Sequence, residues 1–187
     1  MNMPQRLKLA KTVAVTALTY FDTPWMKDMW RLRDISLLSA STQDPNVILN
    51  TLHLEVDLHS RKKLLSSSSD TSVMDMALTP QSGTNLSDDD LLDKGVFNKS
   101  LHSLGVALVG IETAQDLDPS NWDDVRNVRK YARGSIFGEK YKAVVEKCFA
   151  FNCDLNRPNS HRQAFESIVG SLEDMVSSLA LDDGEWV

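Results

Sequence analysis

The stretch Ser100 to Ile111, SLHSLGVALVGI, constrains this chain more than any other. Leu101, Leu104, Leu108 and Ile111 recur at three- and four-residue intervals, so they share one face of a helix. Val106, Ala107 and Val109 widen that face until almost the whole circumference is apolar. Such a helix is stable only when other elements surround it, which predicts a central position in a helical core. Gly105 and Gly110 lower its helix propensity, and close packing by a neighbour is the expected compensation. Their spacing is not that of a phosphate loop, because no Lys-Ser/Thr follows and no strand precedes.

Further helices are expected on either side. Leu7, Ala10, Ala14, Leu18 and Phe21 form an apolar stripe, with Pro4 placed for the first turn and Asp22-Thr23-Pro24 closing the helix. Arg6, Lys8 and Lys11 lie in its early turns, where the helix dipole disfavours them, so each needs a carboxylate elsewhere or water. Trp25, Met26, Met29 and Trp30 predict a short second helix, capped by Asp22 or Thr23, whose two tryptophans wedge it onto the first. An exposed recognition surface is the alternative reading of Trp25 and Trp30. Ile35, Leu37 and Leu38 read as a short extended or irregular segment. Towards the C-terminus, Trp122, Val125 and Val128 mark one helix, with Asp123 and Asp124 early and Arg129, Lys130 and Arg133 late, as the dipole favours. Tyr141, Val144, Val145 and Cys148 mark the next, after Gly134 and Gly138. Phe165, Ile168, Leu172, Met175 and Leu179 mark the last and most regular one. Residues 181–187 read as a frayed tail.

The segment at about 40–100 is expected to be long, irregular and strand-containing. Leu52, Leu54, Val56 and Leu58 alternate with His53, Glu55 and Asp57, the pattern of a half-buried strand. Arg61-Lys62-Lys63 and the serine run Ser66 to Ser69 predict a flexible loop at about 60–95. Within that tract, Ser87 is placed to cap a single turn holding Asp88, Asp89 and Asp90. Adjacent aspartates diverge, and no calcium-loop spacing surrounds them. The expected organisation is a single helical domain over residues 1–180.

Charge and chemistry narrow the function. Lys and Arg number 20 against 26 Asp and Glu, a net charge of −6, which disfavours a broad nucleic-acid-binding face. No run approaches the length of a membrane-spanning helix, and no secretory cleavage pattern follows the N-terminal basic residues, so a cytoplasmic protein is expected. The histidines are His53, His59, His102 and His161, and none has a metal-helix spacing. His102 lies in the apolar helix and is expected to pack or hydrogen-bond. Cys148 falls on a buried stripe and Cys153 in the loop after it, a spacing that is no redox motif. No metal, cofactor or catalytic group is nominated, and the expectation is a chain that is not an enzyme. A small enzyme using His53, His59 or Cys153 is the remotest alternative.

Three blocks taken together carry a resemblance. They are Arg6 to Trp30 (RLKLAKTVAVTALTYFDTPWMKDMW), Ser100 to Ile111 (SLHSLGVALVGI), and Tyr141 to Glu173 (YKAVVEKCFAFNCDLNRPNSHRQAFESIVGSLE). In order and spacing they resemble the C-terminal region of fungal proteins of the DUF7580 family, some of which accompany prion-inhibition or heterokaryon-incompatibility-type modules. The same blocks look like a degenerate protein-kinase C-terminal lobe. Ser100 stands where kinases carry a helix-capping aspartate, Ser103 and Gly105 are kept, and Cys148 and Arg157-Pro158 are similar to the residues before the final kinase helix. His-Arg-Asp, Asp-Phe-Gly, Ala-Pro-Glu, the glycine-rich loop and the strand lysine are missing, and phosphoryl transfer needs them. The usual carboxylate partner of Arg157 also has no obvious counterpart.

The resemblance implies a mainly α, non-catalytic domain for protein–protein interaction or regulation, a fragment or shortened family member. Trp25, Trp30 and Arg157 are its interaction or structural anchors. The implied partner is another protein, such as a missing or separate N-terminal lobe, with no nucleic acid and no membrane. The alternative it implies is a vestigial, pseudokinase-like nucleotide or small-molecule binding domain. That reading places a pocket near residues 24–38 and 79–100.

Overall fold

The computed structural model describes residues 1–21, 23, 26–37, 52–54, 88–131 and 134–182. Helix α1 (Met3–Thr19) starts from a capping box: Gln5 N donates to the Asn2 side chain at 3.0 Å, and Asn2 N donates to Gln5 Oε1 at 3.1 Å. Pro4 sits in the first turn, where its missing N–H costs no hydrogen bond. The early basic residues find different partners. Lys11 reaches Glu173 at 2.6 Å, and Arg6 donates to the Glu112 carbonyl at 3.0 Å.

The short helix expected after Pro24 does not form among the described residues. Met26 to Trp30 is a run of bends, followed by a 3₁₀ turn at Leu32–Asp34. The reason is local: Arg31 N donates to Asp34 Oδ2 at 2.9 Å, which places the helical start after the tryptophan rather than before it. Trp30 is buried in the core at 2% exposure.

The expected strand-containing segment at about 40–100 is corrected. Extended pairing among the described residues is confined to β1 (Ile35–Leu37) and β2 (Leu52–Leu54), antiparallel, with Ile35 opposite Leu54 and Leu37 opposite Leu52. Two three-residue stretches make no layer. A period of two defines a half-buried strand only where a sheet receives its apolar face, and the described core is built mainly from helices, joined by Ile35 of β1. Residues 55–58 of the alternating run lie outside the described residues, as do 60–87 of the expected loop. From residue 88 onward the chain is again helical, beginning with α2 (Asp88–Asp93).

The central helix is α3 (Lys99–Thr113), buried without interruption from Leu101 to Glu112. It packs against α1, α4 (Trp122–Tyr131) and α5 (Glu139–Ala150). Helix α7 (Ser171–Asp182) packs in turn on α1 and α5, so α1, α3, α5 and α7 close a ring around one core. Gly105 permits the tightest of these contacts. A Cβ there would lie 2.8 Å from Phe149 Cζ and 3.2 Å from Cys148 Cβ of α5. Gly110 serves the end of α3 instead, since a Cβ would lie 2.8 Å from the Gln115 carbonyl oxygen as the chain doubles back through Ala114 at φ 56°.

The last helix begins earlier than its apolar stripe suggests, at α6 (Pro158–Phe165). It runs through a π turn at Glu166–Gly170 into α7. Arg157 stands at its N-cap without a side-chain capping bond.

Candidate functional site

The N-terminal end of α3 opens onto a cleft of about 530 Å³, lined by Phe21, Thr23, Met26, Asp28 and the run Phe97 to Ser100. The cap of α3 forms its floor. Asn98 Oδ1 accepts from Leu101 N at 2.9 Å, so the capping role that the kinase likeness gave to Ser100 belongs to Asn98, because the helix starts at Lys99. Lys99 Nζ faces Asp28 Oδ2 at 3.5 Å across the cleft. Thr23 Oγ1 donates to the Tyr20 carbonyl at 2.7 Å. Phe21 leans on the His161 ring, centroids 6.2 Å apart, and His161 Nε2 bonds the Leu18 carbonyl at 2.8 Å. On the open side Phe97 is 56% exposed. The cleft therefore offers three apolar side chains, one carboxylate facing one ammonium, and a committed amide. Among the described residues that line it there is no cysteine or histidine, and hence no thiol or imidazole for nucleophilic or acid–base work.

A second, more apolar groove of about 440 Å³ lies at the other end of α3, bounded by Met1, Leu9, Leu32 and Ile111 with Arg6 and Arg33. Beside it, Glu112 is a buried carboxylate in the last turn of α3, where the dipole disfavours an acid. Three donors offset this. Ser135 Oγ donates to its Oε1 at 2.7 Å and Phe137 N at 3.1 Å, with Ile136 N as the third. Tyr141 Oη donates to the Leu108 carbonyl at 2.8 Å, one turn back along α3. Burial, then the nearby Glu112 carboxylate and the Cys148 sulfur, hold the Tyr141 phenol well above its ordinary range.

The remaining buried polar groups are structural in setting. His102 stands edge-on to Phe149, centroids 5.4 Å apart, and its Nε2 has no hydrogen-bond partner among the described residues. Burial and the Arg129 charge push its pKa down to about 4, against the opposing pull of the Pro119 carbonyl. Trp30 Nε1 is likewise buried without a hydrogen-bond partner among the described residues. Burial pushes the Cys148 thiol up to about 12, so it is no nucleophile at neutral pH. Cys153 is exposed on the loop after α5.

The anchors named from sequence stand in different settings where they are described. Trp30 is interior, Trp25 lies outside the described residues, and Arg157 is exposed at the start of α6 with no ion pair among the described residues. His53 is in β2 and His59 lies outside the described residues. Phe97, Asn98 and Glu112 were not singled out by sequence reasoning. For Glu112 a signal existed: an acid in the last turn of an apolar helix needs donors from elsewhere. Among the described residues no group of three His, Cys, Asp or Glu side chains could hold a metal ion, and no helix is long and apolar enough to cross a membrane.

These features define a helical domain in which the described residues show no catalytic cluster. Residues 1–179 match the family described as Domain of unknown function (DUF7580), and the chain belongs to that family. Among curated proteins and among solved structures, no match to the chain was found.

Proposed function

We propose that this chain is a non-catalytic protein–protein interaction or regulatory domain of a fungal cytoplasmic protein, and that the cleft at the head of α3 is where its partner docks. The exposed Phe97 carries this reading. An aromatic ring left in water at the rim of a partly apolar cleft gains most when a partner covers it. The charges beside it, Lys99 and Asp28, already face each other and supply a polar rim. The partner is a protein such as a separate N-terminal lobe, and the likeness to incompatibility-type proteins makes self/non-self signalling the process.

A second reading is a vestigial pseudokinase-like pocket for a nucleotide or small molecule. The cleft's volume and its place between Phe21, Thr23, Met26 and Asp28 on one side and residues 97–100 on the other favour that reading. Against it, the ammonium in the lining faces a carboxylate and no glycine-rich loop is present to grip phosphate.

Phe97→Ser separates the two readings. Tagged wild-type and variant chains are recovered from their own cells, and bound proteins are compared by mass spectrometry. A partner held by the wild type and lost from a variant with unchanged thermal stability supports docking. Equal recovery of every protein by both chains overturns it. A rise in Tm with nucleotide and Mg²⁺ would favour the second reading instead.

A further inference from the structure

The loop between α4 and α5 is a latch on Glu112. Ser135 Oγ, Ile136 N and Phe137 N all donate to one carboxylate oxygen, and Phe137 N also reaches Ser135 Oγ at 3.2 Å. Besides Glu112, Phe137 secures the loop, packed on the core edge-on to Tyr141 with centroids 4.9 Å apart, and Gly138 N donates to the Ser135 carbonyl at 3.4 Å. For hydrogen bonds to other elements, the part that carries Ser135 and Ile136 has only those to the carboxylate among the described residues. Gly134 and Gly138 flank it, and neither has a neighbour within 4 Å of where a Cβ would stand. Ile136 at its tip is 76% exposed. Ser135 itself is half-buried, so a small opening of the loop frees its hydroxyl. In the sequence Arg129, Lys130 and Arg133 precede it by six, five and two residues, a basic approach of the kind that directs serine kinases.

We propose that Ser135 is a phosphorylation site, and that its modification opens the latch. The co-reactants are a nucleoside triphosphate and a serine kinase that selects basic sequences. The Ser135 Oγ–P bond forms, the bond from the γ-phosphorus to the oxygen bridging it to the β-phosphorus breaks, the nucleoside diphosphate leaves with that oxygen, and the hydroxyl proton passes to the kinase's base. The product has lost the donor that faced Glu112 and carries close to two negative charges in its place. Two anions cannot share the pocket, so the 135–138 turn leaves α3 and exposes the Glu112 carboxylate to water. Arg129 does not offset the new charge, because its guanidinium is held at the Lys94 carbonyl at 2.7 Å and over the Trp122 ring at 5.2 Å.

The test uses the full chain, ATP with Mg²⁺, and a purified kinase selective for arginine upstream of serine. Mass spectrometry locates the phosphate, and Tm and amide exchange read the latch. The expected result is phosphate on Ser135, a fall in Tm of about 4 °C or more, and faster exchange at Ile136 and Phe137. Ser135→Ala keeps both backbone donors and should lose the fall even if another serine, such as Ser160 three residues after Arg157, is modified. Glu112→Gln removes the opposing charge and should shrink the fall. No phosphate at Ser135, or phosphate there with unchanged Tm and exchange, overturns the proposal. A phosphorylation-induced fall in Tm that persists in Ser135→Ala overturns it as well.

Discussion

Inside α3, His102 is kept neutral because its environment has no room for a charge. Burial dominates, and the Arg129 guanidinium adds to it. The unfolded chain takes up a proton below the ordinary value of 6.5, while the native imidazole refuses it until about pH 4. Its contribution to stability is therefore whole above pH 6.5 and is lost as pH falls from 6.5 towards 4, by about 3 kcal/mol at most. His102→Leu removes the titrating group. The fall in Tm between pH 7 and pH 4.5 should be smaller in the variant than in the wild type; equal falls would mean that the histidine titrates normally. Placing His102 in an apolar helix was enough to predict that it packs. The shift comes first from burial and then from Arg129, which is distant in sequence.

At the level of elements, α3 decides the architecture, and Gly105 decides how closely α5 can approach it. A valine there gains helix-stabilising side-chain packing only by displacing the Phe149 ring and pressing on Cys148 Cβ. Gly105→Val is expected to cost about 2 kcal/mol, since overpacking a filled core typically costs 1–3. Urea unfolding of the variant measures it, and an unchanged midpoint would show that the α3–α5 contact can widen freely. This close approach was legible as a glycine inside an apolar helix, though the facing residue was not. The short helix expected around Trp25 and Trp30 shows the opposite outcome. Aromatic spacing suggested a wedge, but the Arg31–Asp34 hydrogen bond sets the local turn later in the chain.

At the scale of the whole molecule, the closed ring of α1, α3, α5 and α7 separates two thiols that differ by five positions in sequence. Cys148 is shut inside, and Cys153 is at the surface. A maleimide should label Cys153 quickly in the native chain and Cys148 only at the rate of global unfolding, with that rate rising in step with added urea. Labelling of both at once would mean that α5 opens locally from the ring. The difference between the two sites was visible in the helical stripe that ends at Cys148. The cleft beside Phe97 was legible only as a pocket expected near residues 24–38 and 79–100; that Phe21 and Thr23 join Met26 and Asp28 opposite residues 97–100 depends on how α1 docks against α3.

What the amino-acid order determined was local and periodic: apolar stripes at helical spacing, a helix apolar all round and therefore central, and a proline and cap residues at helix starts. These follow from interactions within a few residues, which any helix of that sequence makes. Tertiary structure alone decided which helices face one another, that Asn98 rather than Ser100 caps α3, and that Leu52–Leu54 pairs with Ile35–Leu37 in a two-stranded ribbon against α1. It also decided that Glu112 would be buried among three donors from a loop more than twenty residues away. Each of those outcomes depends on groups far apart in the chain, and burial and charge satisfaction act on them only once the core has closed.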